Sequence, residues 1–345
     1  MKCHLCWPIA ICLWVTGLEV APASHHGWVT GRTVRTFQVP TARQRNEAPV
    51  ITAIAVQPAG NLLAVGGDDH NINIWSMDSG KLSRKLTGHS DWIRCLAFAA
   101  DGQTLASTGD DGRVLLWTVK TSQQPREIGR HHCVLQQLRF ATHSHLLATI
   151  GFQQDLKIYN SVTGKVIYQL SCPGDDMRAL AFSPNGGQVA IGGRNGIIRV
   201  WNLPMGTIAF EVKAHQQRIR GIAYSSDGTK IVSVGEDRQL RVGHGKDGSE
   251  IHSWHFPRTK NLALSFLSPH EVAVAGSDNC IHIWNINKGH QQGILTGHTG
   301  SVTSLQSSGH WIVSGSYDTT VRLWQLERGK FDNQALRFPA QRQTR

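Results

Sequence analysis

GHSDWIRCLAFAADGQTLASTGDDGRVLLW, the sequence of residues 88–117, is the clearest copy of the unit that decides the fold. It holds three apolar runs separated by the turn sequences Asp101-Gly102 and Asp110-Asp111-Gly112. Such turns favour tight hairpins because Gly, Asn and Asp tolerate positive φ. The third run ends at Trp117 and alternates with period two, which is typical of a half-buried strand. A further Gly turn and a polar run follow in most units, so each unit predicts a four-stranded antiparallel meander.

The unit recurs at a nearly constant interval. The residues that end its third run are spaced by 42, 42, 42, 42, 41 and 40 positions. They are Trp75, Trp117, Tyr159, Trp201, Gly243, Trp284 and Trp324. A step of this size with a closing Trp is typical of a propeller blade. Because one meander leaves both of its faces uncovered, seven units predict a single all-β propeller of seven blades stacked around an axis.

A strand-like segment precedes the first unit and has no blade of its own. Gly31 to Val39 matches the outer strand of a unit, such as Gly80 to Thr87. We predict that the N-terminal strand, placed at 33–39, closes the last blade, because this joins the chain ends and removes an exposed edge. The alternative source of that strand is Gly329 to Phe338. The predicted propeller domain covers 24–326, and a basic tail covers 327–345.

These repeats resemble those of the WD-repeat propellers, over about Thr33 to Leu326. Gly88-His89 and Gly297-His298 open two of the units in the manner of that family. The resemblance implies a structural hydrogen-bonded set in each well-formed blade, made of a buried His, a Ser or Thr, an Asp and the closing Trp. Two sets are complete in this chain: His89, Ser107, Asp111 and Trp117, and His298, Ser314, Asp318 and Trp324.

The other five units each lack at least one member of this set. Unit five keeps His215, Ser233 and Asp237 but lacks the Trp. The departures in units one, three, four, five and six are Val65, Tyr159, Ile191 with Asn195, Gly243, and Val274. Since polar networks rigidify a structure only when every member is satisfied, we expect blades two and seven to be best ordered and blade five to be loosened.

The histidines invite two chemical interpretations. A recurring His, Ser and Asp looks like a hydrolytic triad, but a nucleophile needs an exposed, activated position, and repetition favours a structural role. His131, His132 and Cys133 form the best metal candidate, although zinc needs three or four converging ligands and His131 occupies the same place in its unit as His89. His252 and His255 fall on or next to an outer strand. We therefore predict no catalytic residue, no metal site and no cofactor.

The first 23 residues are typical of a secretory signal peptide. Lys2 precedes an almost wholly apolar stretch, Leu5 to Leu18, and an A-x-A site ends at Ala23. We predict an exported, bacterial-type protein, periplasmic or extracellular; the alternative is a cytoplasmic protein with a spurious leader. No later stretch approaches the roughly 18 consecutive apolar residues of a membrane span. The four Cys beyond the leader are too scattered for a disulfide framework.

Composition limits the partner classes. With 40% hydrophobic and 17% charged residues among 345, the chain is not of the disordered type. The formal net charge of +11 favours acidic partners. Lys and Arg occur in all units without a run, so we expect no specific nucleic-acid site. We expect a monomer or a complex subunit that binds an unidentified protein or peptide.

A binding surface is the function that remains. In WD-repeat propellers, loops before the first strand of each blade line one face near the central channel, and the resemblance implies a non-catalytic scaffold that binds a partner there. The alternative is a hydrolytic or redox enzyme with its site in the channel. At the corresponding positions the sequence has Trp92, Asp176, Arg178, Arg218, Arg220 and Asn261, which we predict to contact the partner.

Overall fold

The computed structural model describes residues 29–40, 47–121, 123–308 and 311–328. These residues form 28 strands and, within those ranges, no helix. The strands make seven antiparallel sheets of four strands each. The all-β architecture and the seven four-stranded blades predicted from the repeat are therefore confirmed. The predicted signal peptide at 1–23 lies outside the described residues.

In six blades the four strands follow the chain order from the central channel outward. The innermost strands are β2 (Ile51–Val56), β6 (Ile93–Phe98), β10 (Leu135–Phe140), β14 (Met177–Phe182), β18 (Ile219–Tyr224), β22 (Asn261–Ser268) and β26 (Val302–Ser308). The second strands are β3 (Leu62–Gly67), β7 (Thr104–Gly109), β11 (Leu146–Gly151), β15 (Gln188–Gly193), β19 (Lys230–Gly235), β23 (Glu271–Gly276) and β27 (Trp311–Ser316).

The outer half of each blade is built in the same way. The third strands, which carry the closing residues, are β4 (Asn71–Ser76), β8 (Arg113–Thr118), β12 (Asp155–Asn160), β16 (Ile197–Asn202), β20 (Gln239–His244), β24 (Ile281–Asn285) and β28 (Thr320–Arg328). The outermost strands are β5 (Leu82–Thr87), β9 (Arg126–Arg130), β13 (Val166–Ser171), β17 (Thr207–Lys213), β21 (Glu250–His255), β25 (His290–Leu295) and β1 (Val29–Gln38).

The ring is closed by the N-terminal strand, as predicted. β1 pairs antiparallel with β28 along its whole length, from Val29 opposite Arg328 to Gln38 opposite Thr320. The strand begins at Val29 rather than at residue 33. The predicted start was too late because a bulge at Val34 interrupts the apolar alternation that marks the strand in the sequence. β28 also continues past the predicted domain end at 326. The alternative closing segment, Gly329 to Phe338, lies outside the described residues.

The hydrophobic core lies between neighbouring blades rather than within one. The innermost strands of successive blades contact each other, and β26 contacts β2. At that last junction Phe37 from β1 packs in one cluster with Trp75 of blade one and Val321 of blade seven. Each blade therefore has its faces covered by its neighbours, which explains why a single unit would not fold alone.

A second repeated feature fixes the loop that precedes each innermost strand. In six blades the second strand ends in Gly, and a Cβ at Gly109 would lie only 2.1 Å from the carbonyl oxygen of Trp92. Glycine is required there because the two backbones approach so closely. The next amide, that of Asp110, donates to the same Trp92 carbonyl at 2.9 Å. All seven blades contain this bond between turn and loop, so both are held at one face of the ring.

Candidate interaction face at the channel mouth

The two complete four-residue sets form continuous hydrogen-bond chains. In blade two, Trp117 Nε1 donates to Ser107 Oγ at 2.7 Å, His89 Nε2 lies 2.7 Å from the same oxygen, and His89 Nδ1 lies 2.8 Å from Asp111 Oδ2. Blade seven repeats these contacts with distances of 2.8, 2.7 and 2.7 Å. Because the indole can only donate, the Ser hydrogen points to Nε2 and Nδ1–H points to the carboxylate. With a neutral His, the hydrogen-bonding groups of all four side chains in the set have partners.

The sets have triad-like connectivity but cannot act as hydrolytic sites. Ser107 and Ser314 have no exposed surface, so no substrate carbonyl can reach their oxygens. The closing Trp also donates a hydrogen bond to the same oxygen. A nucleophile needs an accessible position, and these serines are structural.

Two incomplete blades show how the set adapts. In blade five, His215 lies 2.8 Å from Ser233 Oγ and 3.0 Å from Asp237 Oδ1, although Gly243 replaces the Trp. The strands on both sides of Gly243 stay paired. The expected loosening of blade five remains a prediction. In blade three, His131 Nε2 lies 2.7 Å from the hydroxyl of Tyr159.

Blade six replaces the set with a different one. Phe256 occupies the place of the opening His and packs on Trp284, with ring centroids 5.3 Å apart. Asp278 instead pairs with His282, whose Nε2 lies 2.8 Å from Oδ2. Val274 cannot accept a hydrogen bond, and Trp284 Nε1 is buried without a partner. Trp75 Nε1 in blade one is also unpaired, beside Val65.

The side chain of His131, in the predicted metal candidate, already makes hydrogen bonds to other residues. His131 Nδ1 lies 2.7 Å from Gln153 Oε1, so both ring nitrogens already have partners. Burial raises the pKa of the Cys133 thiol, which disfavours the thiolate that binds a metal. Within the described part of the chain, no three His, Cys, Asp or Glu residues are placed to hold an ion.

The buried histidines make stability depend on pH. Burial lowers the pKa of His131 and of His298, so the unfolded chain binds more protons just below its ordinary His value of about 6.5. We expect the free energy of unfolding to fall as the pH drops through this range, by at most about 1.4 kcal/mol per pH unit for each group. Urea unfolding at pH 7.5, 6.5 and 5.5 measures it.

Two variants make that test specific. His298→Gln should flatten the slope because it removes one titrating ring, whereas His252→Gln, on an exposed outer strand, should leave the slope unchanged. A stability that is constant or rises on acidification would contradict the assignment of neutral buried rings.

Five of the six predicted contact residues lie at one face of the ring. Trp92, Asp176 and Arg218 directly precede their innermost strands, and Arg178 and Arg220 are the second residues of theirs. The backbone bond between turn and loop described above holds the first three. We name this surface, with the turns between second and third strands, the channel-mouth face.

An ion-pair network joins four of these residues. Asp176 accepts from Arg178 Nε at 2.6 Å and lies 2.8 Å from Arg218 Nη2. Arg218 Nη1 also donates to Glu236 at 3.1 Å, and Arg220 lies 3.6 Å from that carboxylate. Arg178 Nη1 donates to Gln136 at 2.6 Å. The network spans the inner strands of blades three to five and holds their side chains in one arrangement.

Aromatic side chains that the sequence analysis did not single out lie on the same face. Phe152 and Tyr317 are 43% and 48% exposed, each the first residue of a turn between second and third strands. The Arg178 guanidinium lies 4.7 Å above the Phe152 ring, and that of Arg94 lies 4.7 Å above Trp92. Arg94 is itself fixed by two bonds to Asp110, of 2.6 and 2.5 Å.

Asn261 is the exception, and its predicted contact with a partner is wrong. Its exposed surface is 0%, because it is the first residue of β22, where the other blades place a buried apolar side chain. Its Nδ2 donates to the carbonyl of Gln239 at 3.2 Å, while Oδ1 has no partner. The side chain therefore points into the core.

Comparison with known families agrees with this architecture. The profile described as "WD domain, G-beta repeat" matches residues 32–76, 80–118, 164–202, 206–242 and 289–325, more than half of the chain. The chain belongs to the WD40 repeat family. Each matched WD40 repeat begins at the outermost strand of one blade and ends with the third strand of the next. The first repeat accordingly starts in β1, which completes blade seven.

The similar curated proteins match only part of this WD40 chain. Mitochondrial division protein 1 of Neurospora crassa is 35% identical over 92 residues, covering 26% of this chain and 14% of that protein. The THO complex subunit 6 homolog of Danio rerio is 46% identical over 52 residues, 15% of this chain and 16% of that one. Autophagy-related protein 16 of Arabidopsis thaliana is 30% identical over 107 residues, 30% and 21% of the two chains.

The innermost strands of blades three and six fall outside the WD40 matches. Both blades depart from the family set: blade three has Tyr159 in place of the closing Trp, and blade six has Phe256 in place of the opening His. Their four-stranded sheets are nonetheless intact. Apolar alternation, rather than the polar set, therefore maintains the blade.

Proposed function

We propose that this WD40 propeller is a non-catalytic scaffold that binds a protein or peptide partner on its channel-mouth face. One observation carries the proposal: the half-buried Trp92 and the exposed Phe152 and Tyr317 lie on loops of the channel-mouth face, with Arg94 and Arg178 stacked on two of them. Trp, Tyr and Arg dominate the energetics of protein interfaces. Exposed aromatic rings on fixed loops give a partner contact area at little entropic cost.

The channel lining supports binding rather than catalysis. The cavities in the channel and at its mouth are lined by Arg, Gln, Thr, Ser, Cys, Tyr and apolar residues. Among these described lining residues there is no carboxylate or His to serve as an acid or base. Turnover that is abolished by changing a channel-lining residue would support the enzyme alternative instead.

Affinity capture tests the proposed face. We expect Trp92→Ala and Phe152→Ala to lose the same protein that the unchanged chain recovers, with at least about a tenfold fall in direct affinity for that purified protein. Met205→Ala is the matched control, because Met205 is 74% exposed in a turn between third and outermost strands. Equal binding by the face variants and the control would refute the proposed face.

A separate proposal concerns the cellular location, which is either cytoplasmic or, after export, periplasmic or extracellular. The names of the relatives refer to mitochondrial division, the THO complex and autophagy, and they favour the cytoplasmic alternative over export. In the described residues no helix is long and apolar enough to pass through a membrane. Mass spectrometry of the N-terminus decides: a mature protein starting at Ser24 supports export, and an intact Met1 refutes it.

A further inference from the structure

Three arginines lie at the mouth of the channel. Arg94, Arg178 and Arg220 are the second residues of their innermost strands, and their side chains line a cavity of about 100 Å³. The same position holds Thr52, Gln136 and Thr303 in three other blades, so the rest of the wall offers further hydrogen-bonding groups. No described carboxylate lines this cavity.

Positive charge exceeds negative charge in the network around the cavity. Four guanidiniums, those of Arg94, Arg178, Arg218 and Arg220, share only the three carboxylates of Asp110, Asp176 and Glu236. The first three arginines each have a carboxylate partner at 3.1 Å or less. Arg220 has only the 3.6 Å contact with Glu236, which already accepts from Arg218.

The surroundings do not compensate this charge. Below the arginines, the channel is lined by apolar side chains such as Leu96 and Leu180 and by polar groups that include a further cation, Arg139. Burial lowers the pKa of Arg220, and the charge of Arg178 lowers it further. An ion in a poorly solvated site interacts more strongly with a counter-ion than it would in water. An anion at this position would therefore compensate Arg220 and gain a strong contact.

We propose that the channel mouth is an oxyanion site, which binds a carboxylate or phosphate group carried by a segment of the partner protein. Arg220 lines the cavity, and its planar guanidinium fork matches the two oxygens of such a group. The surrounding Trp92, Phe152 and Tyr317 rings would contact the flanking residues of the segment. The proposal rests on the proposed function, because it supplies the chemistry that the scaffold recognises.

Short peptides test the site without the natural partner. We would titrate the full chain with three fluorescein-labelled hexapeptides that differ at one central residue: glutamate, phosphoserine or glutamine. We expect binding of the glutamate or the phosphoserine peptide to be at least about tenfold tighter than that of the glutamine peptide. The relative affinity of the first two distinguishes a carboxylate source from a phosphate source.

Arginine variants assign any binding to the cavity. Arg220→Gln should weaken the preferred peptide at least about tenfold, and Arg220→Lys, which keeps the charge but loses the fork, should give an intermediate loss. Arg194→Gln is the matched control, because Arg194 is an exposed arginine in a turn of the same face. It removes the same unit of charge and should change the affinity less than about twofold. Thermal unfolding of each variant shows that the ring is intact.

The outcomes separate this proposal from the proposed function. Equal affinities for all three peptides, or equal losses in Arg220→Gln and Arg194→Gln, would overturn the oxyanion site. If Trp92→Ala still lost a captured partner in that case, the binding face would stand without this ligand chemistry. A single-stranded oligonucleotide that bound more tightly than any peptide, and lost affinity in Arg220→Gln, would overturn the peptide ligand.

Discussion

Phe37→Ala should lower the free energy of unfolding by about 3–5 kcal/mol, the range for truncating a buried aromatic side chain. Phe37 is 2% exposed, and its ring makes an edge contact with Trp75 at 5.7 Å between centroids. It belongs to the cluster between blades seven and one, at the junction where β1 pairs with β28. Its loss therefore weakens the junction that closes the ring. Urea unfolding followed by tryptophan fluorescence measures the effect.

Val34→Ala is the matched control on the same strand. Val34 is 41% exposed and lies at the bulge of β1, so its truncation should cost less than about 0.5 kcal/mol. Similar losses in the two variants would contradict the role of β1 as the closing strand. Because β1 is held by its pairing with β28, Phe37→Ala should also increase cleavage at β1 by a protease.

The fold could be predicted from sequence because its determinants are local and repeated. The turn sequences, the period-two alternation and the spacing of closing residues each specify one blade, and seven copies specify the ring. The closing strand was identified from its likeness to the outer strands of other units. Its start at Val29 was not, since a bulge at Val34 interrupts the alternation and depends on pairing with a strand nearly 300 positions away.

The candidate site was only partly predictable, because it depends on which blades adjoin one another. Trp92, Asp176 and Arg218 could be placed by their distance from the innermost strands. Arg94 could have been found in the same way, as the second residue of its innermost strand. Phe152 and Tyr317 could have been found as the first residues of the turns that follow their second strands. Asn261 was misplaced because its polar side chain occupies a phase that is buried in every blade.

Side-chain sets were predictable only where all members were present. The sets of blades two and seven have the hydrogen bonds that the family resemblance implies. In blade six, by contrast, His282 lies four residues after its partner Asp278 and on the third strand itself. Phe256, in the usual His place, packs against His282 and Trp284, and no fixed offset in the sequence signals the pair.

The central acceptor of the blade-seven set is Asp318, whose side chain is 6% exposed. The carboxylate lies 2.7 Å from His298 Nδ1 and accepts from the amides of Thr299 and Thr320, both at 3.0 Å, and from the Thr320 hydroxyl at 2.6 Å. Burial acts to raise the pKa of Asp318, but these hydrogen bonds outweigh it and hold the pKa at about 2. The ionised form is therefore stabilised in the folded chain above about pH 4, and this contribution is lost as the pH falls toward 2.

Asp318→Ala should consequently destabilise the protein by about 3–5 kcal/mol at neutral pH, because it leaves the buried His298 ring and the part-buried amide of Thr320 without an acceptor. Asp318→Asn, which keeps one acceptor oxygen, should cost less. Asp247→Ala is the matched control: Asp247 accepts bonds from the amide and hydroxyl of Ser249 at 2.9 and 2.6 Å, but it lies in an exposed turn where water replaces them. Urea unfolding compares the three variants at pH 7 and pH 3. Equal losses of stability for Asp318→Ala and Asp247→Ala would mean that the four-residue set contributes no more than a surface turn. If the difference between the two variants were as large at pH 3 as at pH 7, the ionised carboxylate of Asp318 would not be the source of that difference.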